Sequence, residues 1–123
     1  MSLRQTVLII DDAPATRHGL AKLLELRGYD TREARNGAHG VEMLRNEPGI
    51  RLVVLDFRMP GSDGSWFRQH QLEDPTIADI PVVVFTGAGD AETIRTTLRI
   101  EHILNKPISI DDLLDIIGRY CAT

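Results

Sequence analysis

Three short stretches, residues 7–10, 52–55 and 81–85, are unbroken runs made almost wholly of β-branched or large apolar residues. A strand with one wet face alternates polar and apolar positions, whereas an unbroken run is the pattern of a parallel strand covered on both faces. These three are therefore expected as interior strands. Residues 29–34 (YDTREA) and 102–105 (HILN) are shorter or more polar and suit the two edges of the same sheet. Between the strands, apolar residues recur at helical spacing. Leu20, Leu23 and Leu24 mark a first helix that stops at Gly28, and Val41 and Leu44 mark a second after an Asn36-Gly37 turn. Phe67 within SWFRQHQL marks a third, and residues 90–99 give a weaker, threonine-rich fourth. Ile110, Leu113, Leu114, Ile117 and Cys121 form the clearest stripe, with Ser109 as its N-cap. The resulting order, (βα)5, predicts an α/β fold of three layers: a parallel five-stranded sheet with right-handed crossovers and helices on both faces.

Composition narrows the picture. At 123 residues and 42% hydrophobic content, residues 1–123 make one domain with one substantial core, and no second, output domain is expected among them. A formal charge of -4 argues against a large basic surface, so direct nucleic-acid binding is not expected. The single cysteine, Cys121, cannot close an internal disulfide and ends an apolar stripe, which makes it a packing residue. Neither a signal segment nor an apolar run of membrane length is visible, and the expectation is a cytoplasmic protein without membrane contact.

Parallel sheets of this kind carry their working site at the carboxyl ends of the strands. The first strand ends in IIDDAP, giving Asp11 and Asp12; the third in VVLDFRMP, giving Asp56; the fourth in VVFTG, giving Thr86; the fifth in LNKP, giving Lys106 and Pro107. Carboxylates crowded together raise one another's pKa unless a cation intervenes, and a hard divalent ion that also takes phosphate oxygens suits the set. Lys106 and Thr86 would then hold phosphoryl oxygens, and Asp56 would be the nucleophile that becomes an aspartyl phosphate. Taken singly, Asp12 could instead cap the next helix and Asp56 could serve its Pro-Gly turn. Their conjunction at the ends of four strands favours the site.

Through VLIIDDAPATR, LVVLDFRMPGSDG, DPTIADIPVVVFTG and NKP, in that order, nearly the whole chain resembles the receiver domain of bacterial two-component response regulators. The resemblance implies a flavodoxin-like sandwich with strand order 2-1-3-4-5. It implies a signalling phosphoacceptor rather than an enzyme, one that assists its own phosphorylation and dephosphorylation. Asp56 would take a phosphoryl group from a sensor histidine kinase or histidine phosphotransfer protein, with magnesium or manganese, and switch a surface read by a downstream effector or output domain. By position, Asp12 would bind the metal directly, Asp11 mainly through water, and Arg58 through its backbone carbonyl. Thr86 would be the switch hydroxyl, Lys106 its charge partner, and Pro107 the residue after a cis peptide bond.

Departures from the family pattern are equally specific. The family's aromatic residue three places before the lysine is Ile103 here, and the segment from Thr86 to Lys106, with TLRIEHILN in place of the usual small-residue loop, is short. Phosphorylation is thus expected to be chemically competent while the usual readout through the fourth helix, fifth strand and fifth helix is altered. Arg58 and Ala88 occupy positions that tune the lifetime of the phosphoryl group. Trp66 stands where the family is polar and is expected to be partly buried or to anchor a partner. The histidines His18, His39, His70 and His102 show no metal-ligand spacing. Three alternatives remain. A flavin-binding protein would need a phosphate cradle where DDAPATR sets two acids. An aspartyl-phosphate phosphatase would need an acid where Arg58 stands. The third is a receiver-like scaffold that binds partners without being phosphorylated.

Overall fold

A computed structural model describes residues 5–59, 61, 63–87 and 89–121. Its strands are β1 (Thr6–Ile10), β2 (Asp30–Ala34), β3 (Ile50–Asp56), β4 (Val82–Thr86) and β5 (His102–Asn105), and its helices are α1 (Pro14–Leu26), α2 (Gly37–Asn46), α3 (Gly64–Glu73), α4 (Ala91–Thr97) and α5 (Ile110–Tyr120). All neighbouring strands pair in parallel, in the order β2-β1-β3-β4-β5. The three apolar runs are the interior strands, and the two polar ones are the edges.

Strand alternation splits the apolar residues between two cores. Val7 and Ile9 of β1, Leu52 and Val54 of β3, and Val83 and Phe85 of β4 pack with Leu20 and Leu24 of α1 and Leu113 and Ile117 of α5. Their neighbours Leu8, Ile10, Val53, Leu55, Val82 and Val84 pack on the opposite face with Val41 of α2, Phe67 of α3 and Ile94 of α4. Both faces of the sheet are thus covered, which is why these strands carry no polar positions. Cys121 is buried in the α1/α5 core, as a packing residue should be.

Helix ends follow local chemistry, with one correction to the sequence reading and one alternative set aside. Asn36 does not make a turn with Gly37. Its side chain accepts the His39 N–H at 2.8 Å as the N-cap of α2, so the Asn-Gly pair starts a helix. Nor does Asp12 cap α1, whose N-cap position is Ala13 with no side-chain cap bond and whose first residue is Pro14. Asp63 and Ser109 do cap α3 and α5, accepting from the N–H groups of Trp66 and Asp112. Gly28 follows the C-cap of α1 at φ +94°, the left-handed conformation that glycine adopts freely.

Among the polar side chains of α3, Arg68 and Gln71 are turned to structural use. Gln71 is fully buried and donates to the carbonyls of Ile77 (3.1 Å) and Ile80 (2.8 Å), satisfying the loop that leads into β4. Arg68 donates to the carbonyls of Leu98 (2.9 Å) and Arg99 (3.1 Å) and to the Gln71 side chain (2.8 Å). It therefore terminates α4, a helix of seven residues whose exit passes through Arg99 at φ +57°. The short segment seen in the sequence is thus a short helix with a left-handed exit, held from α3.

Candidate functional site

Asp11 follows β1, Asp56 ends β3 and Lys106 follows β5, so the sheet itself brings them to one edge. One carboxylate oxygen from each of Asp11, Asp12 and Asp56 lies within 4.8 Å of the others. Asp11 and Asp56 are buried and Asp12 is exposed. Lys106 Nζ stands 3.1 Å from Asp56 Oδ1, and the ammonium also sits 5.5 Å from the centroid of the Phe85 ring, which helps to fix its direction. That ion pair lacks hydrogen-bond geometry, leaving the buried Oδ1 without a hydrogen-bond partner among the described residues. Burial pushes the Asp11 carboxyl above its usual range; the Ala13 N–H, donated at 2.9 Å, opposes the shift, while the charges of Asp56 and Asp12 add to it.

A hard divalent cation fits this donor set. The ligands are all oxygens, the negative charge exceeds what Lys106 balances, and a buried acceptor is left unsatisfied. Asp11, Asp12, Asp56, Phe85, Lys106 and Pro107 line a cleft of about 500 Å³ that continues between α1 and the start of α5, past Leu20 and Ile110. The Lys106-Pro107 peptide bond is cis, as the resemblance implied.

Thr86 is placed differently. It is buried, but it is absent from the lining of that cleft, and its hydroxyl donates to Asp90 Oδ2 at 3.2 Å. Strand alternation accounts for this: Phe85 belongs to the α1/α5 side, so the next residue faces the α4 side. Asp90 in turn accepts two bonds from the Arg58 guanidinium, Nε to Oδ2 at 2.8 Å and Nη2 to Oδ1 at 2.7 Å. Arg58 beside it holds the Asp90 carboxyl below its usual range. The sequence reading missed Asp90 as more than a helix start, and no motif singles it out. Ile103, in place of an aromatic ring, is half-buried and packs against the core under α4. Trp66 is also half-buried, its ring stacked on His70 at 3.7 Å between centroids. Ala88, expected to influence phosphoryl lifetime, lies outside the described residues, as do Pro60, Ser62 and residues 1–4.

A close backbone approach fixes the loop after Asp56. A Cβ on Gly64 would stand 2.9 Å from the Phe57 carbonyl oxygen and 3.0 Å from its Cα, while the Gly64 N–H donates to that same carbonyl at 2.9 Å. Only glycine lets α3 start against the end of β3 in this way.

The family model for the response regulator receiver domain matches residues 7–118. PilH of Pseudomonas aeruginosa is 32% identical over 120 residues, which are 94% of this chain and 97% of PilH. The phosphate regulon transcriptional regulatory protein PhoB of the same organism is 31% identical over 114 residues, 89% of this chain but 48% of PhoB, so the chain spans about half that regulator's length. Among solved structures, a response regulator receiver protein from Pseudomonas putida superimposes with a TM-score of 0.88 at 25% identity, covering 97% of this chain and 99% of that one. The chain belongs to the response regulator receiver domain family and is a receiver domain of two-component signal transduction. Its sheet order is that family's flavodoxin-like order. Among the described residues no helix is long and apolar enough to cross a membrane.

Proposed function

We propose that Asp56 is the phosphoacceptor of this receiver and that Asp11, Asp12, Thr86 and Lys106 form its working site. The observation that carries the reading is the meeting of three carboxylates within 4.8 Å, with Lys106 3.1 Å from an Asp56 oxygen that has no hydrogen-bond partner among the described residues. A site so charged and so incompletely satisfied is arranged for something that arrives.

In the transfer, an Asp56 carboxylate oxygen forms a bond to phosphorus. The bond from phosphorus to a histidine nitrogen of a kinase or phosphotransfer protein, or to the acyl oxygen of a small donor, breaks. The leaving atom keeps the electron pair, with a proton supplied from water. Lys106 donates to a phosphoryl oxygen as charge builds there, and Thr86 offers its hydroxyl to another after leaving Asp90. Asp11, Asp12, Asp56 and the Arg58 carbonyl would hold magnesium, or manganese, which supplies charge neutralisation to carboxylates and phosphoryl group alike. The domain thus assists its own phosphorylation and dephosphorylation. The partner's histidine approaches along α1, since the cleft runs without a break from the acids to Ala15, Thr16 and Leu20. A downstream effector or output domain then reads the changed surface.

Intact mass after incubation with acetyl phosphate and magnesium, beside Asp56→Asn, tests the reading. The expected result is one phosphoryl adduct that requires the metal and is lost in the variant. An unlabelled wild type, where a control receiver is labelled, would favour the scaffold that binds partners unphosphorylated.

A further inference from the structure

We propose that Asp90, oriented by Arg58, is a positioning residue that holds the Thr86 hydroxyl away from the phosphorylation site until a phosphoryl group competes for it. The inference rests on the assignment of Asp56 and Thr86 above. Three observations lead to it.

Asp90 occupies the N-cap position of α4 yet makes no side-chain cap bond. The other polar N-caps, Asn36, Asp63 and Ser109, all accept a backbone N–H of their own helix. The backbone of Asp90 is helical, at φ -101° and ψ -10°, where those three are extended, so its carboxylate faces away from the N–H groups of α4 and is free for other partners. It accepts the Thr86 hydroxyl at 3.2 Å and a two-pronged bond from Arg58 at 2.8 and 2.7 Å. The bidentate fork fixes the plane of the carboxylate and hence where the hydroxyl must stand. Asp90 is shielded, with 14% of its side chain exposed, while Arg58 closes over it from the solvent side at 73%.

The third observation is where the pair sits. Arg58 lies two residues beyond Asp56, Asp90 adjoins the first residue of α4, and Ile103 is packed into the core beneath that helix. Movement of Thr86 toward Asp56 must break its bond to Asp90, which removes the tie between the end of β4 and the start of α4 and leaves the Asp90 carboxylate held by Arg58 alone. The event at Asp56 thereby reaches α4 through the Asp90 carboxylate, with no turning aromatic ring required.

Binding of beryllofluoride with magnesium, a non-covalent mimic of the phosphoryl group, measures the competition. Freeing the hydroxyl should tighten binding. A hydrogen bond to a charged group is worth about 1.4 kcal/mol or more, so Asp90→Ala should bind about tenfold tighter than wild type. The gain should disappear in the Thr86→Ala background, because the latch acts only through that hydroxyl. Asp90→Asn, which keeps one acceptor oxygen but loses the charge and one prong of the Arg58 fork, should fall between wild type and Asp90→Ala. Arg58→Ala, a change at an exposed side chain, should give a gain of about threefold in the same direction and serves if Asp90→Ala does not fold. Equal or weaker binding by both Asp90→Ala and Arg58→Ala, or a gain that persists without the Thr86 hydroxyl, would overturn the latch and leave the phosphoacceptor assignment standing. Failure of the wild type to bind the mimic, where a control receiver binds it, would overturn both.

Discussion

Asp56→Asn should make the metal-free protein more stable, and the size of the effect can be worked from the site. Oxygens of Asp56 and Asp11 lie no more than 4.8 Å apart, and both side chains are buried. Two unit charges at that distance repel by about 3.5 kcal/mol at an effective dielectric of about 20. Asp12 is exposed, so its share is screened and left aside. Against this stands the Lys106 ion pair at 3.1 Å, but the lysine side chain is 45% exposed. Solvent screening and side-chain entropy reduce such a pair to about 1 kcal/mol. The balance favours the neutral amide by about 2 kcal/mol. In a domain of this size that raises the thermal midpoint by about 6 °C. Thermal unfolding at neutral pH, first with a chelator and then with magnesium, checks it. Asp56→Asn should melt higher than wild type in chelator, and added magnesium should narrow or reverse the gap, because the ion stabilises the intact cluster far more than the depleted one. A variant that melts at or below the wild-type temperature in chelator would refute the reasoning: the acids would then not be in strained proximity, and the case for a cation site would lose its physical basis.

Two further outcomes follow from contacts away from the site. Arg68→Ala removes the donors on the Leu98 and Arg99 carbonyls and should cost about 2 kcal/mol in urea unfolding, with faster amide exchange concentrated in residues 94–100; a loss under about 0.5 kcal/mol would mean that water replaces the guanidinium freely. Asp74 is held down to about 2 by the Thr76 hydroxyl at 2.6 Å, by Arg45 at 2.8 Å and by the Thr76 N–H at 3.0 Å. Because its folded value lies below the ordinary one of 3.8, its contribution is full above about pH 4 and fades as pH falls toward 2. The difference in thermal midpoint between wild type and Asp74→Asn should therefore be constant near neutrality and shrink in acid; an unchanged difference near pH 2 would contradict the assignment.

The sheet was legible because its strands are buried on both faces. A run such as residues 52–55 has no polar position to confuse the period, and the two polar strands could only be edges. Asp11, Asp12, Asp56 and Lys106 were legible for a related reason, since the carboxyl ends of parallel strands converge whatever the loops do. Local choices were harder. Asn36-Gly37 reads as a turn, but the same pair can open a helix with Asn as its cap, and only the backbone after it decides. Tertiary partners were harder still. Arg68 gripping the end of α4, Gln71 satisfying the loop before β4, and Asp90 meeting Arg58 across 32 positions are contacts between segments distant in sequence, made by residue types that usually face water. No periodicity announces a polar side chain whose partner lies in another element.

The stack of Trp66 on His70 gives the protein an optical property. Trp66 is the chain's sole tryptophan, so emission excited beyond the absorption of its two tyrosines comes from one indole near the start of α3, the helix that opens after the Asp56 loop. A ring held in face contact changes the yield and colour of an excited indole, and the ring separation is set by one helical turn whose Trp66 carbonyl also meets His70 Nδ1 at 2.8 Å. The brightness of the unlabelled protein is therefore a gauge of whether that first turn keeps its winding, legible in a cuvette without any added dye.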